Sequence, residues 1–284
     1  VQLPFARWHG IGNTYILIRA EDLAVRPDGT RGLDTVQVRL LCDPHFGLGS
    51  DGILVLGPSD VADIHMAIYN PDGSMAEMCG NGIRMAARFL VDTNIVTASS
   101  LSIATEAGIM RPTVLEDGTV RVDMGTATTE GVETITLEDG QQLTGRLVSM
   151  GNPHFVVAHE PEHVDLERVG PAAEHHPRFP NRSNIEFIAV DAPDEIRMRV
   201  WERGVGETLA CGTGACAVGV TAVLDHGSSS SVLVHLPGGD LRIDVDSDLH
   251  VHMTGPAAEI CRGTIDVDAA CAASPYANYQ EIHA

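Results

Sequence analysis

Two stretches of this chain are apolar on almost every side. Residues 82–92 carry Ile83, Met85, Ala86, Ala87, Phe89, Leu90 and Val91, and residues 214–225 carry Ala215, Cys216, Ala217, Val218, Val220, Ala222, Val223 and Leu224. Apolar positions around most of a helical circumference predict helices buried nearly all round. Short strand-like runs surround each of them: 15–18, 53–56, 65–69, 101–105, 109–115 and 119–124 in the first half, then 155–158, 184–190 and 196–201. A further helix is expected over 35–42, ending before Pro44. Turns are marked by Gly10-Ile11-Gly12-Asn13, by the glycine-rich run 47–52, and by Asn70-Pro71-Asp72-Gly73.

The second half repeats the plan of the first. Met150-Gly151-Asn152 echoes Ile11-Gly12-Asn13, and in each half a cysteine later opens the apolar helix. The expected fold is α+β, with two pseudo-symmetric lobes and a cleft between them. Each lobe is a β-barrel-like sheet wrapped around a buried central helix. We expect an N-terminal lobe over residues 1–124, crossing over at Met124-Gly125, and a C-terminal lobe over 125–262. Residues 263–284 are expected to supply a final strand returning to the N-terminal lobe, then a patternless polar tail after about residue 268.

Composition narrows the function classes. The 284 residues are 44% hydrophobic and carry a formal net charge of −21, which argues against nucleic acid and anionic membranes, since both need a basic face. No apolar run is long enough to span a membrane, and the first residues lack the pattern of a signal peptide. A cytoplasmic protein is therefore expected. Six cysteines do not suggest a disulfide framework in a chain of this length. Metal is not expected either: Cys216 falls inside a helical run, Pro161 interrupts His159-Glu160-Pro161-Glu162-His163, and His175-His176 reads as a solvated loop pair.

The chemistry lies in two near-copies, Met78-Cys79-Gly80-Asn81-Gly82 and Ala210-Cys211-Gly212-Thr213-Gly214. A cysteine at a helix N-terminus is expected to have a lowered pKa, because backbone N–H groups and the helix dipole favour the thiolate. The glycines allow close backbone approach, leaving N–H groups for a carboxylate. A matched pair of thiols with two carboxylate cradles is equipment for moving a proton at the α-carbon of an amino acid. Cys216 and Cys42, by contrast, read as small buried hydrophobes.

Six segments in order, His9 to Asn13, Tyr69 to Ser74, Met78 to Arg84, Gly151 to Phe155, Asn184 to Phe187 and Glu202 to Gly214, resemble the diaminopimelate epimerase family. The resemblance implies a homodimeric enzyme that interconverts LL- and meso-diaminopimelate in lysine and peptidoglycan biosynthesis, with no cofactor and no metal. It implies that Cys79 and Cys211 are the acid/base thiols on opposite faces of the α-carbon. Gly80, Asn81, Gly212 and Thr213 would hold the reacting carboxylate. Asn13, Asn70, Asn152, Asn184, Glu202 and Arg203 would hold the rest of the substrate, and His154 and Glu202 would tune the thiols. The chain departs from the family at Thr14, where many members have Asp, and at Gly52, where some have Gln. Lys is common where Trp8 or its neighbour stands.

Bland readings compete with these roles. The asparagines taken singly are turn residues, and His154 could be a packed strand-end histidine. Arg203 could pair with Glu202 or Glu207 on the surface rather than clamp a carboxylate with its planar fork. Rival functions are the same two-thiol chemistry on another amino acid and, from another class, a non-catalytic thiol redox or metal-binding protein.

Overall fold

The computed structural model describes residues 2–25, 29–76 and 80–278. The chain forms two compact units, one running to Val120 and resuming at Ala257, the other spanning Arg121–Pro256.

The first unit starts with a hairpin of β1 (Gln2–Gly10) and β2 (Asn13–Arg19), in which Gly10 faces Asn13. The two turn residues, Ile11 at φ 49° and Gly12 at φ 91°, both take the left-handed conformation that a two-residue hairpin turn needs. For a β-branched isoleucine that is a strained position. β3 (Ile53–Gly57) runs parallel to β2, and β4 (Ile64–Tyr69) antiparallel to β3. β5 (Met75–Ala76) folds back on β4. β6 (Ile103–Thr105) is parallel to β4, β7 (Gly108–Met110) pairs with β6, and β8 (Thr113–Val114) follows.

Two helices cover this sheet. α1 (Thr35–Cys42) occupies the expected residues, started by a capping box between Asp34 and Gln37. Its Val38 and Leu41 pack with Ile16, Ile18, Ile53 and Val55. α2 (Gly80–Asp92) starts at Gly80 rather than residue 82, so Gly80 and Asn81 belong to its first turn. It packs on β1, β2 and β3 and buries Ile83, Met85, Ala86, Ala87 and Leu90. Its Phe89 meets Trp8 edge to face at 6.4 Å.

The second unit contains β9 (Val120–Thr126), β10 (Thr128–Thr136), β11 (Gln142–Ser149), β12 (Pro153–Ala158) and β13 (Asn184–Ala192). It continues with β14 (Glu195–Glu202), β15 (Gly206–Thr208), β16 (Ser231–Leu236), β17 (Gly239–Val245) and β18 (His250–Gly255). The strand order is β10-β11-β12-β13-β14-β16-β17-β18-β9, with β15 on β14. β12 and β13 are parallel, and His154 sits across from Asn184. Because side chains alternate along a strand, Phe155, Val157, Ile185 and Phe187 point to one face. There they pack with Leu166, Val169 and Ala173 of α3 (Leu166–Glu174). His154 and Glu186 point to the other face, which α4 (Gly212–His226) covers. α4 is buried on nearly every side and ends at Gly227 in the left-handed conformation.

The expected crossing at Met124-Gly125 lies inside β9, because the strand runs on to Thr126. The expected boundary at residue 262 falls inside β19 (Ala258–Asp266), which pairs antiparallel with β1 from Ala258 onward. Nor is the segment after residue 268 without pattern. α5 (Val267–Ala272) and the turn after it set Val267, Cys271 and Tyr276 against the core of the first unit. The Tyr276 hydroxyl donates to Asp43 Oδ2 at 2.9 Å. Among the described residues no helix is long and apolar enough to cross a membrane.

Candidate active site

In the second unit the expected residues converge on the start of α4. Cys211 caps the helix: its backbone is extended, and its sulfur accepts the Gly214 N–H at 3.4 Å. The Thr213 hydroxyl lies 3.7 Å from the same sulfur. Gly212 and Thr213 form the first helical turn, where backbone N–H groups have no partner in the helix. A Cβ on Gly214 would lie 2.8 Å from Glu186 Oε1 and 3.2 Å from Cys211 Sγ. This glycine therefore makes room for the site's own side chains, a reason that its sequence position did not reveal.

The thiol itself departs from expectation. Burial pushes the Cys211 thiol well above the ordinary range, and the nearby carboxylates of Glu202 and Glu186 add to the shift. The Gly214 N–H and Thr213 hydroxyl pull the other way and are outweighed. The helix start alone predicted a lowered pKa, but desolvation wins here. Glu202 is also pushed up, chiefly by burial, while hydrogen bonds with Thr208 and Cys211 lower it.

Behind the thiol lies a chain of polar side chains. Asn152 Nδ2 donates to Thr213 Oγ1 at 3.2 Å, and Asn152 Oδ1 faces His154 Nε2 at 3.1 Å. His154 Nδ1 faces Glu186 Oε1 at 2.6 Å, both side chains being fully buried. Asn184 is a strut: it donates to the Pro153 carbonyl at 2.8 Å and accepts the backbone N–H of Arg203 at 2.9 Å. Arg203 is exposed, and its guanidinium donates to the Asn181 carbonyl at 3.3 Å. The surface partners considered for it are engaged elsewhere, Glu207 with Arg199 and Glu202 with Thr208. Glu186 is the residue that the sequence analysis did not single out, standing between Ile185 and Phe187 in a strand-like run.

In the first unit, Gly80 and Asn81 open α2, while Cys79 lies outside the described residues. Asn81 Oδ1 accepts from Arg84 Nη2 at 2.9 Å, and Arg84 is fully buried against Gly10. Asn13 follows the strained turn, and its Oδ1 is buried without a hydrogen-bond partner among the described residues. Asn70 Nδ2 donates to Ser74 Oγ at 2.9 Å, tying the β4–β5 turn together. At the departures from the family, Thr14 is held by Asp51 through both its N–H and its hydroxyl. A side chain at Gly52 would collide with Tyr15 at 2.5 Å and with the Tyr69 carbonyl at 2.6 Å. Trp8 is buried.

Asp123, His250 and His252 bring three donor atoms within 4.8 Å of one another. His250 is already paired there, Nε2 to Asp123 at 2.7 Å and Nδ1 to the Thr126 hydroxyl at 3.1 Å. Cys42, Cys211, Cys261 and Cys271 are free thiols.

The sequence model of the family described as diaminopimelate epimerase matches residues 5–130 and 146–260. The diaminopimelate epimerase of Moorella thermoacetica is 44% identical, the match covering 94% of this chain and 100% of the relative. That of Pelotomaculum thermopropionicum is 46% identical, covering 92% and 98%. Among solved structures, a probable proline racemase from Agrobacterium radiobacter superposes with a TM-score of 0.70 at 16% identity, covering 97% of this chain and 95% of its own. A PhzF-family phenazine biosynthesis protein from Bacillus anthracis gives 0.69, also at 16% identity, covering 94% and 99%. At such identities these structures establish a shared fold, an α+β arrangement of two sheet-rich lobes.

Proposed function

This chain belongs to the diaminopimelate epimerase family, and on that premise we propose that it inverts one α-carbon of diaminopimelate, interconverting the LL and meso forms. Cys79 and Cys211 do the proton transfer, one serving each face of the α-carbon. The observation that carries this reading is the surroundings of Cys211. It is a buried thiol at a helix start, with a carboxylate, a hydroxyl and a backbone N–H around its sulfur.

The α-proton of an amino acid is very weakly acidic, so its removal needs stabilisation where charge develops. Backbone N–H groups in the first turn of α4 are positioned to bind the reacting carboxylate. The loss of one such preorganised donor typically costs about 3–4 kcal/mol of transition-state stabilisation. Gly80 and Asn81 supply the matching donors from α2. One thiolate takes the proton while the opposing thiol delivers its own to the other face. The pair starts each turnover with one thiolate and one thiol, because their mutual repulsion disfavours two thiolates. After inversion the two charge states are exchanged, and the enzyme runs equally well in reverse. Arg203 binds a carboxylate of the substrate, and Asn13, with its unpartnered oxygen, accepts from an ammonium group. Asn70, Asn152 and Asn184 support the same site.

The enzyme needs no cofactor, works as a homodimer and acts in the cytoplasm. Light scattering tests the dimer, with a monomer as the outcome against it. The deciding experiment is NMR of LL-diaminopimelate with the protein in D₂O under reducing conditions. Signals of the meso form should grow in with deuterium at the inverted α-carbon. An unchanged spectrum at enzyme concentrations near those of the substrate refutes the assignment, and inversion of a different amino acid reassigns the substrate.

A further inference from the structure

We propose that Glu186 is a positioning residue for Cys211, acting through His154, Asn152 and Thr213. Its place in turnover rests on the reading of Cys211 as a reacting thiol. The contacts themselves do not depend on that reading.

The four links run in one direction. The Asn152 amide donates from Nδ2 to Thr213 Oγ1 at 3.2 Å, so its Oδ1 is the end that faces His154 Nε2 at 3.1 Å. At the other ring nitrogen stands the Glu186 carboxylate at 2.6 Å. Both ring nitrogens thus face oxygen acceptors, the arrangement in which an imidazole carries a hydrogen on each. The Thr213 oxygen accepts from Asn152, which leaves its own hydrogen to be donated to the Cys211 sulfur, 3.7 Å away. A negative charge on Glu186 therefore aligns every donor in the chain toward a thiolate at Cys211.

Burial makes this costly unless it serves a purpose. Glu186 and His154 are fully buried, and Glu186 Oε2 has no hydrogen-bond partner among the described residues. A buried ion pair is commonly no more stabilising than apolar side chains of the same volume. Its neighbours Ile185 and Phe187 show that this strand otherwise builds an apolar core. A Cβ on Gly214, the residue whose N–H caps the sulfur, would lie 2.8 Å from the same carboxylate.

Two effects of the carboxylate on the thiol oppose each other. As a bare charge it repels a thiolate, as Glu202 on β14 also does. Through His154 on β12 it orients donors that favour one. We assign the larger share to the orienting effect, and the sign of a single substitution decides between them. Glu186→Gln keeps the shape but not the charge.

The test uses substrate-free protein. Iodoacetamide labelling of the Cys211 peptide, followed by mass spectrometry across a pH series, should be about tenfold slower at neutral pH in E186Q, equivalent to one unit of upward pKa shift. ¹⁵N NMR of the His154 ring should show two protonated nitrogens in the wild type and one in E186Q. Should E186Q fail to fold, Thr213→Val breaks the last link with Glu186 intact and should slow labelling comparably. Labelling that is unchanged or faster in either variant overturns the proposal, as does a ring with one protonated nitrogen in the wild type. Absence of epimerase activity alongside slower labelling would refute the function and leave this relation standing.

Discussion

Gly214 donates its backbone N–H to the sulfur of Cys211 at 3.4 Å, while the position of its missing Cβ lies 3.2 Å from that sulfur and 2.8 Å from Glu186 Oε1. The donor and the absence of a side chain thus belong to one constraint. Gly214→Ala places a methyl group against both the carboxylate and the thiol, so that one or both must shift. Overpacking of this kind costs about 1–3 kcal/mol. We expect a lower denaturation midpoint together with a loss of turnover larger than any change in KM. An alanine variant with wild-type kcat would show that the site tolerates the shift.

Arg203 is exposed and donates to one backbone carbonyl, while its backbone N–H is fixed by Asn184. Its guanidinium is therefore available for a carboxylate, and a lysine cannot reproduce the planar fork. Arg203→Lys should raise KM about tenfold, equivalent to ~1.4 kcal/mol of binding, with an unchanged melting temperature. Unaltered kinetics would return Arg203 to the surface. A lower melting temperature with unaltered KM would make it structural.

Alkaline stability should report on Cys42. Burial pushes its thiol up to about 11 from an ordinary 9.0, with the Ser50 hydroxyl pulling against this and Asp51 adding to it. Between those values the unfolded chain has released a proton that the folded chain keeps, so rising pH favours unfolding. The contribution is fully present below about pH 9 and is lost as the pH rises through about 11. Cys211 acts with the same sign. Melting temperatures measured across this range should fall less steeply for Cys42→Ala than for the wild type. Parallel curves would mean that Cys42 does not contribute.

Much of the fold was legible because it repeats a simple pattern. Two all-round apolar helices and the turns at Ile11-Gly12 and Gly151 mark the plan twice. The helix at Thr35–Cys42 was set by its own cap and by Pro44. The start of α4 was legible where chemistry and backbone coincide, at Cys211, Gly212 and Thr213. It was hidden where long-range packing decides. Glu186 lies in a strand buried on both faces from Asn184 to Ile188, and the burial of its own face follows from the packing of α4 against it. The rise of the Cys211 pKa comes chiefly from burial, against a local signal pointing downward. The segment Val267–Asn278 is mostly small and polar, and its few anchors, Val267, Cys271 and Tyr276, gain meaning only from the core they meet.

The division of labour between the thiols gives the sharpest prediction. In the proposed mechanism each cysteine serves one face of the α-carbon, so removing one leaves the other able to abstract a proton with no opposing acid. Serine is a good helix cap, and at residue 211 its oxygen can accept the Gly214 N–H in place of sulfur. Cys211→Ser should therefore fold normally, with inversion reduced to a trace because a hydroxyl is a poor base at neutral pH. In that variant Cys79 should still exchange the α-proton of one epimer with solvent, slowly and with retention. Cys79→Ser should do the same for the other epimer through Cys211. Mass-resolved deuterium uptake from D₂O into each pure epimer, measured for each variant, reads both outcomes. Near wild-type inversion in either variant would remove that cysteine from the mechanism. Exchange of both epimers by both variants would require a single base that reaches both faces.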